Sequence, residues 1–484
     1  MPRPAPPRAP RPAPAPTPAP FPLTVERAAL GGRLLGRAPD GRVAWVEGVV
    51  GLGDVVEARV TRAQARSVEV RAGRALAEGA GRAAPFCERV ERCGGCPWQA
   101  LTDAQQLEAL ERDVARELER AMGAPLPWAP SFWSPERAWR HTARLHLRAP
   151  APHAPPAALG FFAPGGEVVD TPSCPTFAPA LNAALRAARE ALLGAASPLR
   201  GGGELRLSAA RGAPSATLAL ALRAPLTPAA RAALHATFEA LCAQAGGPVH
   251  GVALSAPLAG EGRAEGRAEV GFEELSWGRP FNDLGAPGRP PVPHHAAAFM
   301  QAHQEGNAAL VDEVVRGCAG DLRVLELYAG SGNLSAPLAR EAAGAGTLEG
   351  APAGGRRLTC LELDPRAVSA LRALAAAEGL PLHADAQRLD ALPGGVARGE
   401  FDHVVLDPPR EGAAPLMEEL ARAPVRAISY VSCHPAALAR DLAPLRARGW
   451  RVTRARLFHL FPHSGHAEVY VQLAPPSAAG RSLS

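Results

Sequence analysis

Three short motifs near the carboxyl end of the chain combine one thiol with two carboxylates. They read Asp407-Pro-Pro-Arg410, Ser432-Cys-His-Pro435 and His463-Ser-Gly-His-Ala-Glu468. Each lies beside a predicted strand, and the carboxyl edge of an α/β sheet is where such folds bind ligands. A thiol held close to acidic side chains is a combination of groups that enzymes use for nucleophilic catalysis.

This set of groups suits methylation of uracil at C5. C5 alone is too weakly nucleophilic to attack a sulfonium methyl group, but a thiolate that adds to C6 makes an enolate with electron density on C5. C5 then takes the methyl group, and a base removes the C5 proton so that the cysteine can leave. In this interpretation Cys433 is the nucleophile, Asp407 lies at the polar edge of the pyrimidine, and Glu468 is the base.

Each motif taken singly has an ordinary alternative explanation. A strand-end cysteine such as Cys433 is often a buried small hydrophobic residue, and Glu468 could be a surface ion-pair partner. The motif at Asp407 could be a rigid turn, and it also resembles the amino-methyltransferase motif in which a strand-end acid or amide holds an exocyclic amine.

The segment from Leu325 to Asn333, LELYAGSGN, joins a predicted strand to a helix. Gly330 and Gly332 permit a sharp turn and a close approach of the backbone to a ligand. The segment resembles the glycine loop of class I S-adenosylmethionine methyltransferases, and Ser335 replaces the third glycine of the dinucleotide fingerprint. The predicted cofactor contacts in and around this loop are Tyr328, Gly330, Gly332, Asn333, Glu362 for the ribose hydroxyls, and Asp385 for the adenine region.

Taken together and in this order, the three motifs resemble the RNA uracil-C5 methyltransferases that modify transfer RNA and 23S ribosomal RNA. The resemblance implies that Cys433 attacks the base, Glu468 abstracts the C5 proton, and Asp407 orients the uracil and lies at the cofactor. It also implies a cofactor contact from Gln301, which follows Phe299 and Met300. The chain departs from the family at His434, where Asn is common, and at Ala329, where the glycine loop often has Cys.

Four cysteines form a second candidate site, with the spacing Cys87-x5-Cys93-x2-Cys96 and a distant Cys174. Four thiolates can hold zinc or a [4Fe–4S] cluster, and spacing alone does not choose between them. The ribosomal RNA branch of the resembled family implies the [4Fe–4S] cluster, in a structural role. Cys242, Cys318 and Cys360 are interpreted as core residues.

The elements predict an α/β fold class with a C-terminal Rossmann-like class I methyltransferase domain. Before it we predict a small N-terminal β-barrel, which resembles the RNA-binding TRAM module, and a mixed, strand-rich central domain that carries the four-cysteine cluster. The predicted boundaries are a disordered Pro/Ala-rich tail at 1–20, the barrel at 21–78, the central domain at 79–298 and the methyltransferase domain at 299–484.

Length and composition set wide limits on the class of protein. A chain of 484 residues suggests more than one domain. Its formal net charge of +5 permits an anionic partner. The sparse cysteines, the Pro-broken amino terminus and the lack of a long apolar stretch predict a soluble, cytoplasmic protein without a membrane contact. No obligate protein partner is implied.

Several functions remain to be separated from methylation of 23S ribosomal RNA. Transfer RNA is the alternative substrate, and a non-catalytic RNA-binding protein with a decayed methyltransferase domain is the alternative from another class. An amino-methyltransferase would not need Cys433. Radical S-adenosylmethionine chemistry is disfavoured, because its cysteine triplet has a first gap of three residues and the fold after residue 300 is different.

Overall fold

The computed structural model describes residues 19–134, 137–149, 157–193, 199, 201–258, 272–284, 290–321, 323–345 and 357–476. The predicted tail up to residue 18 lies outside these ranges. So do residues 259–268, whose Gly/Ala/Arg composition predicts a loop, and most of 343–356, a Gly/Ala-rich segment that the sequence predicts as an insertion. Within them, no helix is both long and apolar enough to cross a membrane.

Six short strands at the amino end form one sheet in the order β1-β5-β6-β4-β3-β2. They are β1 (Phe21–Thr24), β2 (Arg27–Ala29), β3 (Arg33–Arg37), β4 (Val43–Glu47), β5 (Val55–Ala63) and β6 (Ser67–Ala77). Alternate side chains such as Val46, Val56 and Val70 are buried, as the period of two predicts. β1 and β2 stand at the two ends of this order, and only Val25 and Glu26 separate them along the chain. The predicted barrel stays a prediction.

Helix α1 (Asp103–Met122) follows the first three cysteines, and its bounds match the range 103–122 over which the apolar spacing predicts a helix. Thr102 and Gln105 form a capping box at its start, and Gly123 ends it in the left-handed conformation. Leu110, Val114 and Leu118 are buried along one face. That face contributes to the same core as the N-terminal sheet and the C-terminal domain, so α1 joins these two parts of the protein.

A seven-stranded sheet with two helices forms the middle of the chain, in the order β13-β12-β11-β10-β7-β8-β9. The strands are β7 (Thr142–Arg148), β8 (Ala158–Phe162), β9 (Val168–Asp170), β10 (Gly203–Ser208), β11 (Ala216–Leu222), β12 (Val249–Pro257) and β13 (Phe272–Gly278). The helices are α2 (Pro179–Leu193) and α3 (Pro228–Ala243). Their apolar faces share one core with the sheet, and a hairpin of β14 (Phe281–Leu284) and β15 (Val292–His295) leads to the next domain.

The C-terminal part alternates strands and helices as predicted. The helices are α4 (Gln304–Gly317), α5 (Ser335–Ala345), α6 (Pro365–Glu378), α7 (Gly394–Ala397), α8 (Ala414–Leu420) and α9 (Pro435–Ala447). The strands are β16 (Arg323–Leu327), β17 (Arg357–Glu362), β18 (Leu382–Ala386), β19 (His403–Leu406), β20 (Ala427–Ser432), β21 (Arg451–Phe458) and β22 (Glu468–Ala474). This confirms the predicted doubly wound α/β architecture.

The sheet order β18-β17-β16-β19-β20-β22-β21 brings the three motifs to one edge. Strands β16 to β20 are parallel, and their order reverses between β16 and β19, which is the place where such sheets bind ligands. Asp407 follows β19 and Cys433 follows β20. Strand β22 runs antiparallel to β20 and pairs Val469 with Ser432, so its first residue, Glu468, lies at the same edge.

Candidate active site

The loop after β16 has an unusual backbone that only a few residue types tolerate. Gly330 and Gly332 have φ angles of 54° and 94°, and Tyr328 has a φ of 64° without being glycine. A Cβ at Gly332 would lie 2.6 Å from a methyl carbon of Leu371, so the close packing of this loop on α6 also requires glycine. The loop therefore lies at the carboxyl edge of the sheet, directly after β16.

Glu362, the last residue of β17, fixes that loop. Its Oε2 accepts a hydrogen bond from the backbone N–H of Gly330 at 2.8 Å, and its Oε1 accepts from Leu363 and Asp364 at 2.7 and 3.0 Å. A carboxylate has about four acceptor positions, so capacity remains for a ligand hydroxyl group. Leu363 is 63% exposed beside it, an apolar residue that the sequence analysis missed.

Asn333 and Asp385 have protein partners at this edge. Asn333 exchanges two side-chain hydrogen bonds with Asn307 of α4, at 2.9 and 2.7 Å. Asp385 pairs with His383 at 2.8 Å and Arg372 at 2.7 Å, and hydrogen bonding to His383 lowers its pKa. Asp385 therefore lies at the surface end of β18 in an ion-pair network, and its contact with adenine stays a prediction.

Glu326 is a buried acid that the sequence analysis did not single out. It lies inside β16, 1% exposed, where burial raises its pKa to about 8. The Cys360 thiol of the adjacent β17 donates to its Oε2 at 3.6 Å. A charged residue within the apolar run Val324–Leu327 was the signal available in the sequence.

Cys433, Asp407 and Glu468 come together as the motifs predict. Burial and the nearby Glu468 carboxyl group raise the pKa of the Cys433 thiol to about 11, while Arg410 opposes that rise. Burial also raises the pKa of Asp407, and burial together with the nearby Asp407 carboxyl group raises the pKa of Glu468. The pocket thus holds one thiol and two acids that retain their protons more strongly than in water.

Gln301 lies against Glu468 and supplies its hydrogen bond. The Gln301 side chain stabilises the charged form of Glu468, and both side chains are buried. One oxygen of each, Oε1 of Gln301 and Oε2 of Glu468, is buried with no partner among the described residues. Because unpaired buried acceptors are costly, these two oxygens fit donor groups of a substrate or cofactor.

His434, which differs from the Asn that the resembled family favours, caps the helix after the nucleophile. Its Nδ1 accepts a hydrogen bond from the backbone N–H of Ala437 at 3.1 Å, at the start of α9. An Asn side chain at an N-cap position makes the same kind of bond. The substitution therefore preserves the position of Cys433 relative to α9.

The four predicted cysteine ligands line one cavity of about 20 Å³. The Gln99 side-chain oxygen accepts from the backbone N–H of Phe86 and of Cys87, and Asn182 accepts from the N–H of Cys174. Burial raises the pKa of Cys96 to about 12. Within the described ranges no group of three or more acidic, cysteine or histidine side chains is arranged to hold a metal ion.

Comparison with known proteins places this site in a functional context. A family model described as tRNA (Uracil-5-)-methyltransferase matches residues 295–475. The 23S rRNA (uracil(1939)-C(5))-methyltransferase RlmD of Pseudomonas putida is 32% identical over 92% of both chains. The enzyme of the same name from Halomonas elongata is 32% identical over 95% of this chain and 90% of its own.

A solved structure shares the fold over most of the chain. It is the Pyrococcus abyssi tRNA (uracil-54, C5)-methyltransferase in complex with S-adenosyl-L-homocysteine. The TM-score is 0.66 at 20% sequence identity, with 93% of this chain and 99% of that chain covered.

The raised pKa of Asp407 predicts a stability that falls as pH rises. A buried carboxyl group with a raised pKa keeps its proton in the folded protein at a pH where the unfolded chain has lost it. Folding then takes up a proton, and the free energy of unfolding decreases from about pH 4 upward. At pH 8 the free energy of unfolding of Asp407→Asn should therefore exceed that of the unsubstituted protein by on the order of 2 kcal/mol, and its melting temperature should be higher. At pH 5 both differences should be smaller.

Asp385→Asn is the matched control, because the pKa of Asp385 is lowered and its side chain is exposed. Thermal melts from pH 5 to 8 measure both variants. A melting difference for Asp407→Asn that does not change with pH would contradict the assignment.

Proposed function

The chain belongs to the family of RNA uracil-C5 methyltransferases, and we propose that its substrate is the uridine of 23S ribosomal RNA on which its relatives act. The methyl donor is S-adenosylmethionine. The observation that carries the proposal is the convergence of Cys433, Asp407 and Glu468 at one sheet edge. The 23S rRNA enzymes of Pseudomonas putida and Halomonas elongata are each 32% identical to this chain, over 92% and 95% of it, which supports ribosomal RNA rather than transfer RNA as the substrate.

The proposed reaction begins at the Cys433 sulfur. Its thiolate adds to C6 of the uracil, and the ring electrons move to C5 and the O4 enolate. S-adenosylmethionine supplies an electrophilic methyl group, which C5 accepts. Glu468 then takes the proton from C5, the C5–C6 double bond re-forms, and the Cys433 thiolate leaves. Burial suits Glu468 to this step, because a carboxylate of high pKa is a stronger base than one in water.

The other buried groups hold the reactants in place. Asp407, whose pKa is raised by burial, can donate to the polar edge of the pyrimidine when protonated and accept from it when ionised. Arg410 is the cation that favours the Cys433 thiolate. A base in a helix must be turned out of its stack to reach this pocket.

We assign the cofactor to the carboxyl edge of β16 and β17. The Glu362 carboxylate can accept from the ribose hydroxyls, and the exposed Leu363 side chain offers an apolar surface for a flat adenine ring. The cofactor-contacting residues that we propose are Gln301, Tyr328, Gly330, Gly332, Asn333, Glu362, Asp385 and Asp407.

The four-cysteine cavity is proposed to hold a [4Fe–4S] cluster. Its donor set fits, because four free thiols from two segments line one space. The resemblance to the ribosomal RNA branch of the family supports [4Fe–4S] over zinc, since four thiolates can hold either. The cluster has a structural role in this proposal, since Cys87 and Cys174 lie on different segments.

The N-terminal sheet is proposed to be a TRAM-like RNA-binding module. Arg33 stacks on Trp45 with its guanidinium 4.9 Å from the ring centroid, so a cation and an aromatic face lie together. The Arg42 guanidinium forms an ion pair with the Asp40 carboxylate at 2.6 Å, so it is less available to a phosphate than the guanidinium of Arg33. With an RNA substrate and free thiols, we expect the enzyme to work in the cytoplasm.

Mapping of 5-methyluridine tests the substrate. Ribosomal and transfer RNA from cells with and without the gene are digested and analysed by mass spectrometry. We expect the modification at the position equivalent to uracil 1939 to disappear from 23S RNA when the gene is lost. Loss from transfer RNA alone would instead establish the transfer RNA alternative.

Substitution of the base should stop the reaction at a defined intermediate. Glu468→Gln keeps the shape of the side chain but cannot remove the C5 proton, so methyl transfer should be followed by accumulation of a covalent RNA–protein adduct. Cys433→Ala should give neither adduct nor methylated RNA. Denaturing gels of each variant with radiolabelled RNA measure both outcomes. Full turnover by Cys433→Ala would exclude the mechanism and leave an amino-methyltransferase or another chemistry.

Iron analysis tests the cluster. Anaerobically purified protein should contain about four irons per chain and absorb broadly near about 400 nm. Cys87→Ser should lose this absorbance, whereas Cys242→Ser, a cysteine outside the cavity, should keep it. Stoichiometric zinc without iron would contradict the assignment.

A further inference from the structure

The loop that precedes the proposed base has a strained residue at its start. The loop comprises residues 463–466, between β21 and β22, and is called the base loop below. His463 has a φ of 66°. Among the described residues, the non-glycine residues with a positive φ are His463 and Tyr328. Such a conformation persists where surrounding contacts hold it, and it is a pointer to function.

Gln106 of α1 and Trp98 hold the backbone of His463 on both sides. The N–H of His463 donates to Oε1 of Gln106 at 2.7 Å, and its carbonyl oxygen accepts from the N–H of Trp98 at 3.0 Å. The Gln106 amide nitrogen lies 3.2 Å from Nδ1 of His463 and donates to the Leu101 carbonyl oxygen at 3.1 Å. Gln106 is completely buried, so its amide is not free to turn to another partner.

The segment that holds the base loop is also the one that carries three of the four cysteines. Trp98 follows Cys96 by two residues, and Phe86 precedes Cys87. The Phe86 ring packs edge-on against His463, with 4.8 Å between ring centroids. Gln99, which fixes the N–H groups of Phe86 and Cys87, lies next to Trp98. Residues 86–98 therefore contact the base loop at both of their ends.

The N-terminal sheet contacts the same loop from another side. The N–H of Gly31 donates to the carbonyl oxygen of Gly465 at 2.8 Å. A Cβ at Gly465 would lie 2.0 Å from the backbone nitrogen of Gly32, so only glycine fits this contact. The base loop is thus held by three parts of the chain that lie more than 300 residues away in sequence.

We propose that residues 86–98 and Gln106 are positioning elements for Glu468, and that the occupied four-cysteine site controls, through the base loop, the step in which Cys433 leaves the methylated base. This inference rests on the proposed function. Only Ala467 separates the loop from Glu468, so a shift of the loop at His463 moves the carboxylate. Misplacement of a catalytic group by about 1 Å costs on the order of 100-fold in rate.

The inference predicts a defect confined to one step. Addition of Cys433 and methyl transfer do not need the Glu468 carboxylate, whereas removal of the C5 proton does. A displaced base loop should therefore slow proton removal and let the covalent adduct with ordinary RNA accumulate, as in Glu468→Gln. A residue with a general structural role would lower adduct formation and product together.

The first test compares neighbouring glutamines of α1. Gln106→Leu removes the hold on His463, while Gln105→Leu removes the capping box without touching the base loop. With ordinary substrate RNA, adduct should accumulate in Gln106→Leu and its turnover should fall about 100-fold. Gln105→Leu should release product without accumulation. If both variants lose adduct and product in the same proportion, the positioning role is excluded.

Two variants of His463 serve if Gln106→Leu does not fold. His463→Asn tolerates positive φ and should release product nearly as the unsubstituted enzyme does. His463→Val does not tolerate it, and should accumulate adduct. Equal behaviour of these two variants would overturn the inference.

Hydrogen exchange tests the link to the cysteines without reference to activity. In Cys96→Ser, amides of residues 459–468 should exchange faster than in the unsubstituted protein, while residues 323–333 stay unchanged. Cys242→Ser is the control and should alter neither segment. Unchanged exchange at 459–468 in Cys96→Ser would break the link. Failure of the proposed function can be distinguished from failure of this inference, because in that case the unsubstituted enzyme would make no 5-methyluridine.

Discussion

Burial of two carboxyl groups beside one thiol is the constraint on which the rest of the active site depends. An isolated carboxylate in such surroundings loses its hydration, so Asp407 and Glu468 hold their protons more tightly than in water. Gln301 is the side chain that offsets part of this cost at Glu468. In the proposed role, the same burial that destabilises the charged form of Glu468 makes its carboxylate a stronger base for removing a carbon-bound proton.

The strand arrangement produces this pocket, and other parts of the chain complete it. Insertion of the antiparallel β22 beside β20 brings Glu468 opposite Cys433, although 34 residues separate them along the chain. The turn into β22 is then fixed by α1, by the cysteine segment and by the N-terminal sheet. The methyltransferase domain therefore does not build its base site alone, which gives the domains before it a physical part in the reaction.

The elements that could be predicted from the sequence are those whose signals lie within a short segment of the chain. The bounds of α1 follow from its helical periodicity, and the sheet edge followed from the alternation of strands and helices. The partners of Gln301 and the strain at His463 were not predictable, because each depends on contacts between segments far apart in sequence. Asp385 was identified from its place after a strand, but its pairing with Arg372 and His383 depends on side-chain directions that a sequence pattern does not contain.

The central claim is that the Cys433 sulfur bonds to the pyrimidine ring, and RNA containing 5-fluorouridine tests it most directly. Fluorine takes the place of the C5 proton that the base would remove. Elimination is therefore blocked, and the enzyme should remain attached to the base after methyl transfer. Mass spectrometry of the digested complex should find the peptide containing Cys433 linked to one nucleotide that carries an added methyl group. Methylation of ordinary RNA by the same preparation, with no linked peptide or with a link at another cysteine, would contradict the account.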